Sequence, residues 1–145
     1  MTAPNRTPAQ LYALIFGVAL LAAGVLGLFA DATFANVGSD VEGRNFIVFE
    51  VNGWHNVVHI ASGALGLAVM GSVAAARTYA LGFGLVYLGV AIWGFLEGNS
   101  VAGLLPVNTA DNFLHLIIAA AGIAAGLASP ATMGPGSERQ APVAR

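Results

Sequence analysis

The chain has 145 residues, 57% of them hydrophobic and only 8% charged, with a formal net charge of −2, no cysteine and no lysine. A soluble domain of this length needs more polar surface, and a mean hydropathy of +0.79 reads as an integral membrane protein. The missing thiols exclude disulfides, thiolate metal sites and thiol catalysis, and the lack of a basic cluster excludes a nucleic-acid surface.

Residues 1–9, MTAPNRTPA, mix proline with polar residues and carry no apolar period, so they read as a flexible tail. Residues 10–129 form one membrane domain containing four apolar runs, each near the roughly 17 to 25 residues a helix needs to cross about 30 Å of hydrocarbon. The first run, 11–30, exceeds the roughly 7 to 15 residues of a signal-peptide core and counts as a span. A long outer loop, 31–53, includes FIVFEV at 46–51. Its alternation is poor, which suggests a loop or short interfacial element with Phe46 and Phe49 at headgroup depth.

The second span, 54–76, follows directly on VNGWHNVVH at 51–59. The connection at Arg77 is short enough that this span and the third, 79–96, are expected to pack as an antiparallel hairpin. The fourth, 112–129, follows VNTADNFLH at 107–115, and residues 130–145 read as a second flexible tail. Arg6, Arg77, Arg139 and Arg145 fall in the tails and the second connection, whereas the other two connections hold just Arg44. The positive-inside rule then makes both termini cytoplasmic.

An internal repeat organises the chain. YALIFG at 12–17 matches YALGFG at 79–84, and VNGWHNVVH matches VNTADNFLH, at offsets of 67 and 56. The expectation is an all-α, integral membrane four-helix bundle of two tandem helical-hairpin repeats, with the second and fourth helices related by a pseudo-twofold axis along the membrane normal.

At about 100° per residue, Asn52, His55, Asn56 and His59 share one helix face, and Asn108, Asp111, Asn112 and His115 share the matching face of the fourth helix. Lipid cannot satisfy such groups, so both stripes should turn inward. The pattern Val-Asn-x-x-x-Asn-x-x-His occurs twice, with Leu-Pro-Val-Asn-x-x-Asp-Asn-x-x-His in the second copy. It resembles a family of small bacterial four-helix membrane proteins, domain-of-unknown-function family 4383, over roughly residues 12–127. The resemblance implies the membrane topology, a multi-pass protein of a bacterial inner membrane, and no reaction.

Asn52 and Asn108 read as helix caps, with Asp111 at capping-box spacing in the second copy. Asn56, His59, Asn112 and His115 lie deeper and read as a reciprocal clasp, Asn56 to His115 and Asn112 to His59, with His55 and Asp111 as secondary polar residues. A competing reading makes His59 and His115 axial ligands of a b-type haem, with Gly63, Gly66, Ala119 and Gly122 leaving room for the macrocycle. Another makes the stripe a proton or cation site, in which His55 and His59, and Asp111 and His115, interact at four-residue spacing. Three histidines and Asp111 are suitable metal ligands in type, but their spacing is not diagnostic, and no metal site is assigned. No catalytic residue is assigned either. The sequence points to a non-enzymatic protein of the lipid bilayer that associates with another membrane protein or with itself, with no cofactor unless it is haem.

Overall fold

The computed structural model describes residues 6–34, 37–38 and 41–132. Among them are four helices, α1 (Pro8–Ala30), α2 (Gly53–Val69), α3 (Val73–Glu97) and α4 (Thr109–Leu127). Two antiparallel β-hairpins join β1 (Arg44–Phe46) to β2 (Phe49–Val51) and β3 (Ser100–Val101) to β4 (Leu105–Pro106). Each helix begins at a side-chain cap. Thr7 and Gln10 form a capping box ahead of α1 with Pro8 at its first position, while Asn52, Ser72 and Asn108 accept from the third helical N–H of α2, α3 and α4.

Helices α1, α3 and α4 are long and apolar enough to cross a membrane, and only 28%, 33% and 39% of their most apolar windows are buried inside the protein. The remainder turns residues such as Phe29, Leu96 and Leu127 outward, a contiguous apolar exterior suited to hydrocarbon rather than water. α2 has 17 residues and is the shortest of the four.

The expected spans 54–76 and 79–96 are divided differently in the structure. α2 stops at Val69, and the turn through Met70 and Gly71 leads to Ser72, whose hydroxyl caps α3 by accepting from Ala75 N–H. Arg77 therefore lies within α3 rather than in a connection, and its Nε donates to Ser129 O at 3.1 Å. A local cap overrides a hydropathy run that continues without interruption across the break.

The expected hairpin of α2 with α3 is also replaced. α1 packs along α2 and α3 along α4, whereas an apolar groove of about 530 Å³, lined by Leu65, Val69, Tyr79 and Phe83 among others, separates much of α2 from α3. Small residues explain the choice. A Cβ at Gly24 would fall 2.6 Å from Asn56 O on α2, and one at Gly84 would fall 2.8 Å from Ile123 N on α4, so these backbones cross almost in contact. The two pairs are joined through tyrosines: Tyr12 Oη donates to Ile118 O on α4 at 3.2 Å, and Tyr79 Oη donates to Ser62 O on α2 at 3.0 Å.

The segment FIVFEV, expected as a loop or short interfacial element, contributes to β1 and β2. Its turn uses a left-handed Ile47 (φ 63°), with Ile47 and Val48 exposed at the tip. The strands sit over the amino-terminal ends of α2 and α4, where polar side chains of the stripe pair with Val48 O, Glu50 N–H, Leu104 O and Pro106 O of the hairpins.

Gly24→Ala should lower the thermal stability of the detergent-solubilised protein by about 1–3 kcal/mol through overpacking. Gly82→Ala, where nothing lies within 4 Å of the added methyl, should be neutral or stabilising by up to about 1 kcal/mol. Equal losses in parallel melts would argue against the close α1–α2 crossing.

Candidate functional site

The starts of α2 and α4 are cross-stitched by their caps. Asn52 Oδ1 accepts from His55 N–H, and its Nδ2 donates across to Leu104 O, in the loop between β3 and β4, at 3.0 Å. Asn108 Oδ1 accepts from Asp111 N–H, and its Nδ2 donates to Val48 O, in the turn between β1 and β2, at 2.9 Å. Each cap therefore fixes its own helix and also grips the hairpin of the other half of the chain. Asp111 adds to this: Oδ2 accepts from Asn108 N–H at 3.0 Å, completing the capping box, and from Glu50 N–H on β2 at 2.9 Å. At the corresponding position of α2, His55 Nδ1 lies 3.1 Å from Pro106 O on β4.

Asn56 and Asn112, one turn deeper, are buried but do not meet the histidines as expected. Asn56 Nδ2 donates to Asp31 O at the end of α1 at 2.8 Å, and its Oδ1 faces Gly27. Asn112 Oδ1 faces Gly94 of α3. A Cβ at either glycine would collide with the amide. No hydrogen bond joins Asn56 to His115 or Asn112 to His59. Each asparagine is turned toward the glycine of the helix it packs along, because that backbone approaches far more closely than the opposite pair.

The histidines meet one another instead. His55 and His59 have ring centroids 4.5 Å apart, and His115 of α4 lies 5.9 Å from His55 and 6.4 Å from His59. Tyr87 of α3 closes the group, 5.4 Å from His115. All four are buried, and His55 Nε2, His115 Nδ1 and Tyr87 Oη have no hydrogen-bond partner in the protein. Between them and Leu105, Val58, Val86 and Val90 lies a cavity of about 60 Å³.

The room foreseen for a macrocycle is taken. Gly63 backs onto the α1 backbone at Leu21, Gly66 onto the ring of Tyr79, and Gly122 onto Ala80 O and the ring of Tyr12. A cavity of about 60 Å³ is far below the roughly 300–1,000 Å³ of pockets for drug-sized ligands, so the residues present do not fit a haem. Of the expected four-residue pairs, His55 and His59 do interact, whereas the Asp111 carboxylate is directed at backbone N–H groups.

The chain belongs to the family described as Domain of unknown function (DUF4383), whose model matches residues 10–128. No curated protein and no solved structure matches it. The family match covers every residue of the polar cluster, from Asp31 to His115.

Sequence reasoning missed Tyr87 and the hairpin carbonyls. Tyr87 sits in an unbroken apolar run with no periodic signal to distinguish it, and a backbone acceptor leaves no trace in residue type.

Asp111→Ala removes the acceptor of two backbone N–H groups, Glu50 on β2 and Asn108 in the capping box, and should cost about 2 kcal/mol or more in thermal unfolding, whereas Asp111→Asn, which keeps one acceptor oxygen, should cost less. Faster amide exchange at Glu50 in Asp111→Ala, and less so in Asp111→Asn, would locate the loss at β2. Unchanged exchange there would count against the cross-stitch.

Proposed function

We propose that this chain is a small, non-enzymatic integral membrane protein built from two hairpin repeats, with both termini on the cytoplasmic side of a bacterial inner membrane. The observation that carries the non-enzymatic reading is the closure of the polar cluster. Its side chains are buried and directed at the chain's own backbone or at each other, around a cavity with space for an ion or a water molecule rather than an organic substrate.

Matched contacts support the duplication. The offset of 67 carries Tyr12 onto Tyr79, and the offset of 56 carries Ser62 onto Ile118, so the two tyrosine bonds are equivalent, as are the Asn52 and Asn108 stitches. Orientation rests on charge. Arg6 and Arg77 lie at the end where α1 and α3 start, whereas Arg44 shares the opposite end with Asp31, Glu42, Glu50, Glu97 and Asp111. With the side chains of its polar cluster buried, the protein acts through its outer apolar faces, by association with another membrane protein or with itself.

Because the chain has no cysteine, single substitutions report topology cleanly. Ile47→Cys should react with a membrane-impermeant maleimide in intact cells, and Gly71→Cys only after lysis. The reverse pattern would invert the orientation. Photo-cross-linkers placed on the exposed faces of α1 and α3 in native membranes should give a discrete adduct, of twice the chain mass for self-association. A uniform absence of adducts from both faces would remove the association reading.

A further inference from the structure

We propose that His55, His59 and His115 form a binding site for one divalent transition-metal ion of the zinc or copper kind. The inference names a ligand for the closed polar centre and rests on that reading of it. The ring nitrogens that could serve as ligands all lie within 4.8 Å of one another, and all three residues are buried.

The tautomer of His55 is fixed by its neighbour. A carbonyl oxygen only accepts, so Nδ1, 3.1 Å from Pro106 O, carries the hydrogen and donates it. The lone pair of Nε2 is then left facing inward with no hydrogen-bond partner in the protein. A metal-bound imidazole is commonly held in this way, with its second ring nitrogen donating to a carbonyl that sets tautomer and ring angle. His115 Nδ1 is likewise buried and unpartnered. Three imidazoles crowded together, two of them with orphaned nitrogens, are poorly explained as packing, since apolar side chains would fill the same space without the desolvation cost.

Size and donor type narrow the ligand. A tetrahedral zinc site with Zn–N bonds of about 2.0–2.1 Å places its ligand nitrogens about 3.3 Å apart. Small rotations of the His59 and His115 rings, which no hydrogen bond holds, would draw them in from the present spread. The cavity of about 60 Å³ takes an ion and one water, whose share of liquid volume is about 30 Å³, in the fourth position. An all-imidazole donor set favours zinc, copper or nickel over magnesium and calcium, which want oxygen. Asp111 replaces His55 in the second repeat and stands one turn before His115. Its Oδ2 is held on Asn108 and Glu50 N–H, and it is not one of the three grouped ligands.

The test uses the full chain purified in detergent without a polyhistidine tag, stripped with chelator, and titrated with Zn²⁺ and with Co²⁺. A single ion should bind per chain, and Co²⁺ should give the intense visible bands of four-coordinate nitrogen ligation. His59→Gln and His115→Gln should each weaken binding by on the order of 100-fold or more, since even outer-shell changes cost 10–100-fold. Thr78→Ala, at the other end of the bundle, should leave it unchanged. If the glutamine variants fail to fold, zinc-edge X-ray absorption on the wild-type protein decides, with an imidazole shell supporting the site and an oxygen-only shell overturning it. Folded, helical protein that takes up neither ion overturns the proposal, as does equal uptake by the triple glutamine variant. Diethylpyrocarbonate separates this failure from that of the underlying reading: histidines of metal-free protein that react as fast as free imidazole would mean that the centre is open.

Discussion

Backbone and side-chain polar groups that enter an apolar medium must find partners inside the protein, because the surroundings offer none. In this chain the demand falls at the amino-terminal ends of α2 and α4, where caps, amides and imidazoles share one helix face. The structure meets it by exchange, with Asn52 bonded to Leu104 O and Asn108 to Val48 O. The two hairpins thus serve as lids whose carbonyls are the acceptors. The same exchange positions Asp111 and His55 against β2 and β4, and so determines which way the His55 imidazole points.

Packing between helices follows from a different constraint. Glycines allow α1 to lie against α2 and α3 against α4 nearly backbone to backbone, and that closeness draws Asn56 and Asn112 toward Gly27 and Gly94. With the asparagines turned away, the space where α2 faces α4 is left to three histidines and Tyr87. The histidine cluster is therefore a product of the glycine pattern as much as of the histidines themselves.

The polar stripes, the caps Asn52 and Asn108 and the Asp111 capping box were legible in the sequence, because caps and helix faces depend on residue type and on spacing along a single element. The boundary between α2 and α3 is not legible in the same way, since hydropathy averages over the Gly71-Ser72 break while a serine cap acts on one turn. The amides point to Gly27 and Gly94 rather than to the histidines for a related reason. Helical periodicity shows which side a residue faces but not how near each neighbour comes, and the nearer neighbour took the amides. The β-hairpins were hidden by weak alternation in short strands whose stability comes from the helix caps beneath them.

The length of α2 has a consequence for the surrounding lipid. At about 1.5 Å per residue its 17 residues reach roughly 25 Å, short of a hydrocarbon layer of about 30 Å. α1 and α3, with 23 and 25 residues, exceed it. Mismatch of this sort costs fractions of a kcal/mol per Å and is relieved by local thinning. Acyl chains beside α2 would have to shorten or splay while those around α1 and α3 would not, so the protein would sit in a lopsided annulus and favour regions where the bilayer already deforms.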